Sequence, residues 1–330
     1  VSETHRLAGQ VGAREVTADE AEIRLDRWFR RHFPWVTQGS VQKFCRTGQI
    51  RVDGKRAEAA THLLPGQIVR IPPLPQGPPP PPAPPDMDPR QLRDLEAMVI
   101  YRDAHMLALN KPHGLPVQGG AGISRHLDGM LDGLRFGAPD RPRLTHRIDR
   151  DTSGLLLLAR TPGAAAKMAA SFRNRLVEKT YWAVVVGRPE PEHGRIDRPL
   201  ARIGTARTGR SAVSAKHDPA ADAAVTIYRT LDRVSKTFTL LAMSPLTGRT
   251  HQLRVHAASI GTPILGDEKY GVEHSHMDGF PEKLHLHARA LTLPHPAGGT
   301  LSLEADLPPH MRETFTRLGF PAPPARSAQR

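Results

Sequence analysis

With 330 residues the chain is long enough for two domains and at least one full hydrophobic core. Its 46 Lys and Arg against 33 Asp and Glu leave a formal charge of +13, which favours a polyanionic partner, above all nucleic acid. A single cysteine, Cys45, excludes an internal disulfide; no apolar run approaches the roughly 20 residues of a membrane span, and VSETHRLAGQ lacks a signal-peptide core, so a cytoplasmic protein without membrane contact is expected.

Leu25, Trp28, Phe29 and His32 recur at helical spacing, which puts Trp28 and Phe29 on a buried stripe and Arg24, Arg27 and Arg31 on another face. Phe33-Pro34 ends this helix, and Thr37 or Ser40 is placed to cap a second one running to Gly48. In that helix Cys45, beside Phe44, reads as a packing residue rather than a reactive thiol. Two short strands follow, around Ile50 and Ile68, with an Asp53-Gly54 turn after the first. Between residues 21 and 56 nine Lys or Arg stand against three Asp or Glu. Such a surface is either simply solvated or tracks RNA phosphates by releasing their counterions. The second reading is preferred, with Arg24, Arg27, Arg31, Lys43 and Arg46 as contacts.

Ten of the fourteen residues 72–85 are proline. Polyproline II rises about 3.1 Å per residue, so this stretch spans on the order of 40 Å and fits no sheet or helix. It reads as a spacer, the less simple alternative being a ligand for another protein's aromatic groove. The expected division is a small RNA-binding domain over 1–71, a linker over 72–91, a larger domain over 92–320 and a disordered tail over 321–330.

In the larger domain, MVIYRDAHMLALNKP from Met98 reads as two strands about a turn, and LLLLA (155–159) as a fully buried strand. Thr161-Pro162 opens a helix that carries Ala165, Met168, Ala169, Phe172 and Leu176 on one face. KTYWAVVVG (179–187) alternates as a strand with Tyr181, Ala183 and Val185 on one side; VTIYRT and KTFTLLAMS add two more. TGRTHQLRVHAASIG reads as a helix capped by Thr250 and stopped at Gly261. The pattern is that of an α+β domain built on a sheet.

Chemistry concentrates in HRIDRDTSG (146–154). Asp149 and Asp151 fit the D-x-D-x-T pattern of haloacid-dehalogenase-like phosphatases, with the Asp267-Glu268 pair as further magnesium ligands. That motif requires an apolar strand before it, whereas here the strand comes after and RLTHRI precedes. The alternative takes 144–149 as extended, so that Thr145, Arg147 and Asp149 point to one side. A carboxylate then sits beside a guanidinium at the start of a buried strand. Arg254, on one helix face with His251 and Ala258, is placed to supply a second arginine, and such pairing keeps a poorly solvated carboxylate ionised. A purely structural ion pair is the plainer reading of the same residues. His251 and His256 lie about 140° apart around a helix, and the pairs His274/His276 and His285/His287 lack clustered acidic or cysteine partners, so no metal is expected.

Taken together and in order, HRIDRDTSG, EKTYWA and GRTHQLRVH resemble the RluA-type family of RNA pseudouridine synthases. NKPHGLPV, GTPILGDEKYG and LHLHARALTLPHP extend the resemblance from Met98 to about Leu307. The N-terminal module is similar to the small RNA-binding domain shared by a ribosomal small-subunit protein and some tRNA synthetases, which precedes the catalytic domain in the family's large-subunit rRNA branches. The resemblance implies a pseudouridine synthase fold with a central, mostly antiparallel sheet. Position by position it implies Asp149 as the catalytic aspartate, Arg254 as the active-site arginine, Tyr181 as the ring-stacking tyrosine and Arg147 as the arginine that displaces the target base. It makes Asp151 a turn or cap residue. The main departure is Ile148, where leucine is usual.

The same resemblance implies an isomerase of uridines in large-subunit ribosomal RNA or its assembly intermediates; the reaction is redox-neutral and hydrolyses nothing, so no cofactor is expected, and a monomer is expected. Asp149 would act as nucleophile or as a base on the ribose. Two alternatives stay open: the same chemistry on tRNA, and a non-catalytic RNA-binding assembly factor built on the same scaffold.

Overall fold

The computed structural model describes residues 11–74, 88–120, 122–203, 210–215, 218–271, 275 and 277–321. The chain divides into two compact units, Val1–Asp86 and Met87–Arg330. Most of the proline-rich stretch, His274, His276 and the tail from residue 322 lie outside the described residues.

The first unit runs β1 (Gly12–Glu15), α1 (Leu25–His32), α2 (Gln38–Arg46), β2 (Arg51–Val52), β3 (Lys55–Arg56) and β4 (Ile68–Ile71). Its strands form an antiparallel sheet in the order β1-β4-β2-β3. Leu25, Trp28 and Phe29 are fully buried with Val41, Ile50, Leu63 and Val69, as the apolar stripe requires. The Trp28 indole N–H donates to Glu20 Oε2 at 2.9 Å, which satisfies the one polar atom that the stripe buries. Of the two candidate caps, Thr37 holds the position: its hydroxyl accepts from the Ser40 amide at 3.2 Å. Asp53 and Gly54, at φ +48° and +74°, form the two-residue turn between β2 and β3. Cys45 is buried in the core, and burial pushes its thiol pKa up.

The second unit opens with α3 (Pro89–Ala97), whose first turn begins within the stretch that composition assigned to the linker. Asp88 caps it by accepting from the Arg90 amide, and Pro89 suits a first helical position. Then come β5 (Val99–Arg102), β6 (Met106–Lys111), the single turn α4 (Leu127–Met130), β7 (Arg143–Leu144), β8 (Ser153–Ala159), α5 (Pro162–Arg173), β9 (Glu178–Val186), β10 (His193–Asp197), β11 (Leu200–Ile203) and β12 (Arg210–Val213). The remainder is β13 (Val225–Val234), β14 (Phe238–Pro245), α6 (Gln252–Ser259), β15 (Leu286–Pro294), β16 (Thr300–Glu304) and α7 (Pro309–Leu318). Ten strands build one sheet in the order β10-β13-β14-β9-β15-β8-β6-β5, with β16 paired to β15 and β7 to β8. Every pairing is antiparallel except β15 with β8, so the sheet is mostly antiparallel and the chain is an α+β protein.

All seven residues of β8 are buried because both of its faces are covered. Leu155 and Leu157 pack with Met106, Ala164 and Met168 on one side, while Leu156 and Leu158 pack with Leu107, Leu131 and Leu134 on the other. Where β8 meets β15, a Cβ on Gly154 would lie 2.3 Å from the Ala288 carbonyl oxygen, so only glycine fits the close approach.

Two element boundaries differ from expectation. Helix α5 stops at Arg173, not Leu176: Arg175 takes a left-handed conformation (φ +57°), the chain turns into β9, and Val177 is buried in place of the exposed Leu176. Helix α6 is not capped by Thr250. His251 occupies the cap position with φ +55°, and the Thr250 carbonyl accepts from Ser211 Oγ at 2.8 Å. Among the described residues no helix is long and apolar enough to cross a membrane.

Candidate active site

The segment 145–153 is pinned to β8 and its neighbours at several points. Thr145 Oγ1 donates to the Leu157 carbonyl, and the Leu157 amide donates to His146 Nε2, both at 2.9 Å. Burial pushes the His146 pKa down to about 3, so its ring is a neutral acceptor, stacked on Phe172 with centroids 4.6 Å apart. Beyond Asp149, the Arg150 carbonyl accepts from the Gly114 amide and from Lys111 Nζ, each at 2.9 Å. Lys111 is fully buried and donates also to the carbonyls of Pro112 and Leu115 at 2.9 Å. Burial pushes its pKa down to about 7, against the opposing charges of Asp151 and Asp149. Ser153 Oγ, 2.9 Å from His287 Nδ1, fixes the far end.

So anchored, the loop presents Asp149 to a cleft of about 890 Å³. Ile148 borders the cleft too but is buried, packed into the core under β8. The Asp149 carboxylate makes no hydrogen bond or ion pair among the described residues. Asp151 does not line the cleft; it pairs with Arg150 at 2.8 Å. Burial works against the Asp151 charge, but the Arg150 guanidinium outweighs it and holds the carboxyl below its usual range. Two residues apart, the aspartates face different chemistry.

Tyr181 lines the same cleft from β9, opposite Ala288 and Met243 on the flanking strands. Burial raises its phenol pKa and the Asp149 charge adds to the rise, so the hydroxyl stays protonated. Arg147 is exposed at the rim, where Nη1 reaches Gln118 Oε1 at 3.4 Å. One wall carries Arg173, Arg175 and Lys179, none with a carboxylate partner among the described residues; the facing wall is the segment from Pro245 to Thr250.

Arg254 reaches the cleft from α6, a helix in which Gln252 to Ala257 are all buried. The direct pairing of an arginine with Asp149 that the sequence suggested does not form. Arg254 instead holds Asp267 in a bidentate pair, Nε to Oδ2 at 2.8 Å and Nη2 to Oδ1 at 2.6 Å, and acts on Asp149 through space alone. Burial opposes the Arg254 charge, but the Asp267 hydrogen bonds and charge outweigh it and raise its pKa. Asp267 is thus spent on Arg254 rather than placed in a cluster with Asp149 and Asp151, as the phosphatase reading required. The ring nitrogens of His285 and His287 are spent on Lys283, Leu265, Thr314, Ser153 and Ala305. Sequence reasoning missed Lys111, His146 and Tyr270, although NKP, HRID and DEKY all lie within motifs it had marked.

In the first unit Arg27, Arg31, Lys43 and Arg46 are exposed, whereas Arg24 is half-buried and pairs with Asp26 at 2.7 Å. Arg31 lies 3.9 Å from Glu20. The five thus share a unit but not equal freedom to meet a ligand.

Asp149, Tyr181 and Arg254 come from a loop, a strand and a helix and meet in one cleft: a carboxylate without a partner, a protonated phenol and a fixed guanidinium. Comparison with known proteins bears on this set. A profile described as RNA pseudouridylate synthase matches residues 105–259. The ribosomal large subunit pseudouridine synthase C of Vibrio cholerae is 35% identical over 323 residues, 95% of this chain and 99% of that protein. The protein of the same name from Rickettsia bellii is 34% identical over 290 residues, covering 86% and 94%. Among solved structures, human RNA pseudouridylate synthase domain containing 4 superposes with a TM-score of 0.60 at 30% identity, over 71% of this chain and 97% of that one. With such identity over nearly its full length, and with its three cleft residues on the motifs that marked it, the chain belongs to the RNA pseudouridylate synthase family.

Proposed function

We propose that the chain isomerises selected uridines of large-subunit ribosomal RNA to pseudouridine, with Asp149 as the reacting carboxylate. The observation that carries this reading is the convergence of Asp149, Arg254 and Tyr181 in one cleft with Arg147 at its rim. Likeness to relatives named for the large ribosomal subunit supports the substrate.

In this reaction the N1–C1′ bond breaks, uracil turns, a C5–C1′ bond forms and the C5 proton is released as N1 regains one. No electrons are exchanged with an outside donor and no water is consumed. Attack on C1′ and removal of the C2′ proton both require a carboxylate that is not tied up by a neighbour, as Asp149 is not. A stacked uridine must be extruded at a cost of a few kcal/mol. Arg147, held by a single 3.4 Å contact, is free to fill the vacated space. Tyr181 then stacks on the extruded ring, and Arg173, Arg175 and Lys179 meet flanking phosphates. The N-terminal domain (1–71) grips another stretch of RNA through Arg24, Arg27, Arg31, Lys43 and Arg46. The proline-rich linker extends its reach, and a cytoplasmic monomer without a cofactor suffices for the task.

Incubating the purified protein with a large-subunit rRNA transcript tests this. Wild type should form pseudouridine, while Asp149→Asn should bind the RNA and lose about 10³-fold in rate. An Asp149→Asn variant as fast as wild type would sink the reading.

A further inference from the structure

The sheet of the first unit has two faces of opposite character. Val52, Val69 and Ile71 point into the core against α1 and α2, so their neighbours Arg51 and Arg70 point the other way. Register then lines up Ala13, Arg70, Arg51 and Arg56 in one row across β1, β4, β2 and β3. All four are exposed. Neighbouring strands lie about 4.8 Å apart, so the three arginines rise from a stretch of backbone about 10 Å wide.

Like charges directly opposite each other weaken a strand pair, and Arg51 opposes an arginine on both sides. Solubility does not account for such a row, because a merely solvated face mixes signs. Protection of a sheet edge, the usual task of a strand cation, does not either: Arg51 and Arg70 sit on the two inner strands. The nearby acidic residues leave the row uncompensated. Asp53 accepts from the Ile68 amide at 2.8 Å and from Gln67 Nε2 at 3.1 Å. Glu15 shares the outer face but stands opposite Ile68, with no ion pair among the described residues.

The guanidinium groups are also held ready. Arg51 Nε donates to the Gly48 carbonyl at 3.3 Å and Nη1 to the Gly54 carbonyl at 3.1 Å, which leaves Nη2 without a partner among the described residues. Gly48, at φ +68°, makes room for the second arginine: a Cβ there would lie 3.3 Å from Arg56 Nε. Arg56 and Arg70 make no hydrogen bond or ion pair among the described residues. Ala13, Glu15 and Ile68 complete the face, and none of these side chains can stack on a base.

We propose that the outer face of this sheet is a second RNA surface, on which Arg51, Arg56 and Arg70 take the phosphates of a sugar–phosphate backbone without reading its bases. The domain then holds RNA on two sides, its helices and its sheet, and bridges two segments of a folded rRNA. This rests on the reading of the first unit as an RNA-binding domain.

The test is a binding titration of the full chain against a large-subunit rRNA transcript over a range of salt. Arg56→Gln with Arg70→Gln removes two charges and leaves Arg51 on its carbonyls. The slope of log binding against log salt should flatten by about 1.4 on single-stranded RNA and about 1.8 on a duplex. Arg56→Lys with Arg70→Lys keeps the charges and should keep the slope. The glutamine pair relieves repulsion, so its unfolding midpoint at low salt should be no lower than that of wild type. A lower midpoint with an unchanged slope would make the row structural and overturn the proposal. So would an equal loss of affinity for polyglutamate, which would assign the face to an acidic protein. The triple change Arg27→Gln, Lys43→Gln and Arg46→Gln separates the two levels. If only this variant flattens the slope, the sheet surface falls and the RNA-binding domain stands; if neither does, the reading of the domain falls with it.

Discussion

Asp149 and Asp151 differ in what surrounds them, and this separates their roles more sharply than spacing does. Asp151 is tied to Arg150 and turned from the cleft, while Asp149 faces it unpaired. Asp151→Asn should therefore keep activity within a few-fold of wild type in the transcript assay, since an exposed partner such as Arg150 contributes about 1 kcal/mol at most. A loss as large as that of Asp149→Asn would contradict the assignment. The sequence singled out Asp149 only through the family resemblance of its motif; that Asp149 and not Asp151 lines the cleft is a matter of three-dimensional placement. The partner of Arg254 was not legible at all. Asp267 lies on a separate loop, and its approach depends on a positive-φ glycine at 266 and on the amides that follow it, neither of which leaves a periodic signal.

Strands buried on both faces announce themselves by composition, and LLLLA gave β8 directly. Helix α6 is the opposite case. Gln252, Arg254 and His256 are polar yet buried, each satisfied inside the fold: Gln252 by the Val225 carbonyl and Thr226, His256 by Thr226 and the Arg198 carbonyl, and Arg254 by Asp267. No amphipathic pattern marks such a helix, so its cap was misplaced by one residue. The α5–β9 turn brings Arg173 and Arg175 to the cleft wall, where the proposed function has them meet RNA phosphates. With Arg173 and Arg175 both changed to alanine, two phosphate contacts are lost, and the slope of log binding against log salt should flatten by about 1.4 for single-stranded RNA. A binding titration over a range of salt measures this, and an unchanged slope would remove the wall from the RNA path.

At the scale of the whole second unit, burial keeps several histidines neutral, and four of them show large shifts. Burial pushes His146 and His285 down to about 3, and His287 and His310 to about 4. The unfolded chain protonates them near 6.5, so below that pH it binds more protons than the folded state and stability falls. Between pH 7 and 5.5 each costs about 1 kcal/mol, a few kcal/mol together, with the loss continuing towards pH 4. Denaturant unfolding followed at both pH values should show that difference; equal midpoints would mean that the rings are not buried neutral. The fold class was legible in composition and motif order. The single parallel pairing of β15 with β8, which brings His287 against Ser153 at the end of the loop that carries Asp149, was not, because strand order is set by long-range contacts.

Substrate and reacting carboxylate are tested together by mapping pseudouridine in ribosomal RNA and tRNA from cells that lack the protein. Sites should be missing from large-subunit rRNA alone, restored by wild type and by Asp151→Asn but not by Asp149→Asn. A complete set of sites in the absence of the protein, or restoration by Asp149→Asn, would contradict pseudouridine formation in that RNA through Asp149.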